Sequence, residues 1–178
     1  MEDSQEISKT CDYGIDMNPF RALLHAEGSR WRYIVTAWLI GTLPSLFIFP
    51  IIIAIVEHFR PVELPEFDDT RLNMIFAVFV APILETLLML AVWFLLRRLI
   101  DGAQPLRIAI LAAAFALGHY GAGGWWHVFG VAWLALVLST ALTVWADRRV
   151  RDGFVIAAAV HAMANVTVLF VFNALGGG

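Results

Sequence analysis

Residues 72–96 read LNMIFAVFVAPILETLLMLAVWFLL, a run in which Glu85 is the only charge. A helix needs about 20 mostly apolar residues to span the hydrocarbon layer of a membrane. A helix facing water on one side would carry a polar stripe instead. This run has no such stripe, so it predicts a helix crossing a bilayer with one carboxyl group at depth. Placing an acid there costs roughly 2.5–3.5 kcal/mol on insertion scales. A cost of that size makes the side chain a candidate for function.

Four further apolar stretches flank it. The first, Tyr33 to Val56, is uncharged, and Pro44 and Pro50 are expected to kink it. The third, Leu106 to Tyr120, is short and runs into Gly121, Gly123 and Gly124, so its end is expected to unwind where protein or water shields the backbone. The fourth and fifth are Trp125 to Ala146 and Phe154 to Leu175. The 178 residues are 60% hydrophobic and 15% charged, with a mean hydropathy of +0.76. A soluble chain is about a quarter charged. The expected fold is therefore all-α: a polytopic membrane helix bundle of about five transmembrane helices, forming one domain over residues 33–175. Residues 1–32 read as a cytoplasmic tail, in which Asn18 and Pro19 open either a short surface helix or a loop leading into the bilayer.

The basic residues orient the bundle. Lys9, Arg21, Arg30, Arg32, Arg97, Arg98, Arg107, Arg148, Arg149 and Arg151 fall on one side if there are five spans. Arg60 and Arg71 fall on the other, in a loop with Glu57, Glu63, Glu66, Asp68 and Asp69. The positive-inside rule then places the N-terminus in the cytoplasm and the C-terminus outside. Trp31, Trp93, Trp125, Trp126 and Trp145 lie near span ends, where interfacial anchors are expected.

A ruler laid from the cytoplasmic charges finds the candidate site. Glu85, His119 and His161 lie twelve, twelve and ten residues from Arg97, Arg107 and Arg151. At 1.5 Å per residue they sit roughly 18, 18 and 15 Å deep, near the middle of a layer about 30 Å thick. Three ionisable residues on three helices at one depth are what a shared site produces. Asn165, four residues after His161, shares its helical face. Small residues surround them: Ala112, Ala113, Ala114, Ala116 and Gly118 before His119, and Ala157, Ala158, Ala162 and Ala164 around His161. These allow close helix packing. Pro82, just ahead of Glu85, is expected to open and bend the backbone there. The plainer alternatives are a protonated glutamate bonded between helices and neutral packing histidines.

Other residues carry less. His127, beside Trp125 and Trp126, reads as part of an interfacial aromatic cluster, and His25 and His58 as surface residues. Ser139, Thr140 and Thr143 read as packing groups, since no Gly-x-Ser-x-Gly setting occurs. The single cysteine, Cys11, is in the tail, which argues against covalent cysteine catalysis in the membrane. The basic residues form no stripe with exposed aromatics, so no nucleic-acid partner is expected. No secretory leader is evident, and the terminal Gly176, Gly177 and Gly178 offer no cysteine for prenylation.

Three motifs carry a resemblance. Phe115-Ala-Leu-Gly-His119 is a Phe-x-x-x-His pattern, His161-Ala-Met-Ala-Asn165 a His-x-x-x-Asn pattern, and Glu85 opens a segment with Thr86 and Leu90. In this order the chain resembles the CAAX-processing and bacteriocin-processing family of glutamic intramembrane proteases, also called the abortive-infection family. That family usually reads Glu-Glu-x-x-x-Arg at the first motif; here Thr86 stands for the second glutamate and Leu90 for the arginine. The resemblance spans roughly residues 72–170. It implies an endopeptidase in a bacterial inner membrane that cuts a membrane-embedded or lipidated protein or peptide. In it, Glu85 activates water, His119 helps hold that water, and His161 and Asn165 donate to the oxyanion. No cofactor is expected, although Glu, His and His are also zinc ligands and the sequence leaves zinc open. Two other readings remain: a non-catalytic membrane protein for self-immunity or scaffolding, and a proton-coupled transporter with Glu85 as carrier, which the absence of an inverted repeat disfavours.

Overall fold

The computed structural model describes residues 23–25, 28–59 and 71–176. The expected tail at residues 1–17, the Asn18–Pro19 helix start and the acidic loop around residues 60–70 lie outside them. Every element among the described residues is helical. Helix α1 is Arg30–Phe59, and α2 is the short Arg71–Ile75. A π-helical turn, Phe76–Val80, joins α2 directly to α3, Ala81–Leu99. Then follow α4, Gln104–Gly118; α5, the single turn Tyr120–Gly123; α6, Trp125–Ala146; and α7, Val150–Gly176.

Four helical segments are long and apolar enough to cross a membrane: Arg30–Ile48, Leu72–Leu99, His127–Ala146 and Val150–Val171. The helix Gln104–Gly118 is apolar but shorter. The chain is thus a multi-pass helical membrane bundle, and its third stretch is short, as its sequence implies.

Helix α1 does not end at Pro44 or Pro50; both lie inside it. A proline denies a hydrogen to the carbonyl four residues back. For Pro44 that carbonyl belongs to Ile40, and the Trp133 indole Nε1–H of α6 donates to it at 2.7 Å. One residue on, Ser45 Oγ donates to the Gly41 carbonyl at 2.9 Å. Gly41 itself is pressed against α6: an added Cβ would meet Leu134 Cδ1 at 3.0 Å.

Helix α6 is the centre of the bundle. Its spanning window is 67% buried, against 28% or less for the other three. Ala135, Leu138, Ser139, Ala141, Leu142 and Thr143 are wholly or almost wholly buried, and α1, α4 and α7 pack around them. Small residues suit this role, because helices in lipid associate by close packing.

The ion pairs of Arg30 and Arg107 lie at one end of the bundle. Arg30 at the start of α1 pairs with Asp152 at the start of α7, 2.7 Å apart. Arg107 near the start of α4 pairs with Asp147, just after α6, at 3.2 Å, and Gln104 Nε2–H donates to the same carboxylate at 3.1 Å. These links put the beginnings of α1, α4 and α7 and the end of α6 together, with Arg97 and Arg98 at the end of α3 leading into α4. The helices therefore alternate in direction, as the charge distribution requires.

Two tryptophans differ from expectation. Trp93 and Trp145 are buried, on faces turned toward neighbouring helices, so they are core residues and not interfacial anchors. Trp145 takes the edge of Tyr33 at 5.4 Å, and the Tyr33 hydroxyl donates to the Leu23 carbonyl at 2.9 Å. Trp31 and Trp125 are exposed, and the Trp126 side chain lies outside the described residues.

The tight turn from α6 to α7 depends on Gly153. An added Cβ would lie 2.6 Å from the Ala146 backbone nitrogen. Gly153→Ala is expected to destabilise the bundle by about 1–3 kcal/mol through overpacking, read as a lower Tm in detergent. Gly121→Ala, where nothing lies within 4 Å, should leave Tm nearly unchanged.

Candidate functional site

Glu85 sits one turn into α3. One oxygen of its carboxyl, Oε2, lies 3.5 Å from His161 Nε2 and 3.7 Å from His119 Nε2. The structure thus brings together three side chains that the depth ruler places at one level. They come from α3, the end of α4 and the middle of α7. Their side-chain exposures are 34% for Glu85, 22% for His119 and 5% for His161, so the group grades from the surface into the core.

Both separations exceed the 2.7–3.2 Å of a good hydrogen bond. Among the described residues, Glu85 Oε2 has no direct hydrogen-bond partner. His119 Nδ1 lies 2.9 Å from the Phe115 carbonyl. A carbonyl only accepts, so Nδ1 carries a proton and Nε2 is the nitrogen aimed at Glu85. A carboxylate facing an imidazole lone pair would be repelled. A hydrogen must therefore lie between them, on the ring, on the acid or from a bridging water. The three groups are close enough to share a proton directly or through a water.

Local structure explains the placement. Helix α4 ends at Gly118, and His119 forms the turn into α5 with φ −85° and ψ 0°. Gly124 then takes φ 75°, a left-handed value that favours glycine, and α6 begins. This reversal carries His119 at the tip of a short helix. The Phe115 ring lies 4.7 Å from that of His119 and meets the His161 ring edge-on at 5.6 Å. It packs against both imidazoles and limits their rotation.

His127 joins the site as well. Its ring stacks on His119, with centroids 5.6 Å apart and planes within 16°. The depth count gives no sign of this, because it runs along one helix at a time. The α5 turn folds α6 back over α4, so residues eight apart in sequence meet. The adjacent Trp125 and Trp126 signal an aromatic cluster but not its neighbour.

A cavity of about 370 Å³ runs between α3 and α4 beside Glu85 and His119. Leu88, Met89, Val92, Leu111, Ala114, Phe115 and Gly118 complete its lining. Leu88 is 68% exposed, and Ala114 and Gly118 are also exposed, so the cavity reaches the outer face of the bundle. Its wall is almost wholly apolar, with the carboxyl and one imidazole as its ionisable groups.

The structure gives Asn165 a different neighbour. Its side-chain Nδ2–H donates to the backbone carbonyl of Ala77, in the π turn, at 2.7 Å. Thr86 is buried and its hydroxyl has no hydrogen-bond partner among the described residues. Leu90, on the same face, packs against the core. A glutamate at one position and an arginine at the other would be a buried pair; two neutral residues spare the bundle that desolvation cost. Among the described residues, no three His, Cys, Asp or Glu side chains are grouped to hold a metal ion.

Comparison of the chain with models of protein families, with curated proteins and with solved structures gives no match.

Thr86→Val keeps the shape of the buried side chain and removes an unbonded hydroxyl. Its Tm in detergent is expected to equal or exceed that of the native chain, by up to about 1 kcal/mol in stability. A marked loss would mean that the hydroxyl is bonded in the folded state.

Proposed function

We propose that this chain is a glutamate-dependent intramembrane endopeptidase. The observation that carries the reading is the Glu85 carboxyl facing two imidazole Nε2 atoms at 3.5 and 3.7 Å, at the edge of an apolar cavity in a membrane bundle. Such a group is costly in lipid, which supports a working role for it. The Glu85, Phe115–His119 and His161–Asn165 patterns, in that order, add the resemblance to the CAAX-processing and bacteriocin-processing proteases.

In the proposed reaction Glu85 takes a proton from water as the oxygen attacks the scissile carbonyl. The new C–O bond converts that carbonyl into a tetrahedral oxyanion. A ring N–H of His161 donates to the oxyanion, and His119, held by Phe115, orients the water. Collapse of the intermediate breaks the C–N bond, and Glu85 returns its proton to the leaving amine. Donors fixed in a site with little water stabilise developing negative charge far better than they would in bulk water. The substrate class is a membrane-embedded or lipidated protein or peptide, whose apolar part suits a cavity open toward the acyl chains. The basic end of the bundle faces the cytoplasm under the positive-inside rule, and a bacterial inner membrane is the proposed location.

Glu85→Gln keeps size and hydrogen-bonding capacity but removes the base. It is expected to lower kcat by about 10²–10⁴-fold, with the variant still folded by circular dichroism and still binding substrate. Retained cleavage would refute the reading, and a scaffold or immunity protein would be indifferent to the change. Cleavage in detergent is also expected to survive strong chelators; activity lost to a chelator and recovered only with zinc would assign Glu85 and the histidines to a metal instead.

A further inference from the structure

The π turn ahead of Glu85 leaves a main-chain carbonyl short of a hydrogen. In a helix a carbonyl is served by the N–H four residues on, or five on where the turn is π-helical. For Ala77 those are residues 81 and 82. The Ala81 N–H is bonded to the Phe76 carbonyl, and residue 82 is proline, which has no N–H. Lipid supplies no hydrogen in its place. Asn165 does, through Nδ2 at 2.7 Å.

This bond has a geometric effect. One residue inserted into an α-helix turns everything beyond it by about 100°. The π turn therefore sets which way α3 points, and with it the direction of Glu85 relative to α4 and α7. Asn165 lies on α7 one turn beyond His161, so the helix that presents an imidazole to the Glu85 carboxyl also grips the backbone leading to that carboxyl. We infer that Asn165 is a positioning residue: by capping the Ala77 carbonyl that Pro82 leaves open, it holds the π turn and so the aim of Glu85. Its effect on catalysis rests on the peptidase reading; its bond to Ala77 does not.

The test is a double-mutant cycle between Asn165→Ala and Pro82→Ala. Alanine at position 82 restores an N–H five residues beyond Ala77, which serves the same carbonyl without changing the turn. Asn165→Ala alone is expected to lower Tm in detergent by about 5 °C. In the Pro82→Ala background the same substitution should lose most of that effect. A folded double variant paired with an unfolded Asn165→Ala supports the inference equally. Equal losses in both backgrounds, or failure of both to fold, would overturn it.

Cleavage supplies the second readout. Asn165→Ala should lower kcat with KM nearly kept, and Pro82→Ala should restore much of it. A recovered Tm without recovered kcat would mean that Asn165 stabilises the bundle but does not aim Glu85. Failure of the peptidase reading would look different: cleavage surviving Glu85→Gln, with the Tm cycle unaffected.

Discussion

A backbone carbonyl inside a lipid layer must receive its hydrogen from the protein, and the rest of this structure is arranged around that requirement. Of the prolines inside these helices, Pro44 and Pro82 each leave a carbonyl that another helix answers. Trp133 of α6 serves Ile40 behind Pro44, and Asn165 of α7 serves Ala77 behind Pro82. An unmet carbonyl would cost several kcal/mol in an apolar medium, more than most packing contacts contribute. Each irregular helix is therefore tied to a particular neighbour. The broken helices and the way the bundle packs are one problem with one solution.

The ionisable group depends on the same arrangement. Glu85 follows the π turn, His161 lies one turn before Asn165, and His119 caps a helix that stops early. None of the three is held by a strong direct bond to another. They are held by what surrounds them: the Phe115 ring against both imidazoles, the Phe115 carbonyl on His119 Nδ1, and the buried faces of α6 and α7 beneath. The carboxyl is kept near the two rings without a good hydrogen bond to either, so its oxygen still has bonding capacity to offer.

Much of this was legible in the sequence. Apolar length identified the spans, and Trp125–Ala146 has the same limits as the helix that forms there. Counting from the basic residues found Glu85, His119 and His161, because intramembrane charge is rare enough to be informative and helical rise is constant. The misses have physical causes. Hydropathy along the chain cannot say which way a helix end faces, so Trp93 and Trp145 look interfacial when they are internal. A count along one helix at a time says nothing of contacts across the α5 turn, so the stacking of His127 on His119 does not show in it. The role of Asn165 toward Ala77 cannot be read from side-chain spacing, because its partner is a main-chain atom exposed only by the π register.

The shortness of α4 has a consequence for the surrounding lipid. Its 15 residues extend roughly 22 Å, while the hydrocarbon layer is about 30 Å deep. On the flank where α4 and α5 face outward, the protein does not match the full thickness of the layer. Acyl chains there must shorten or headgroups must dip, since bilayers adapt to a short apolar segment by thinning. Thinning of that kind would fall over the tip of α4, where His119 and His127 stack. Polar solvent from the end opposite the basic charges thus has a shorter path to the imidazoles than the nominal width of the membrane implies.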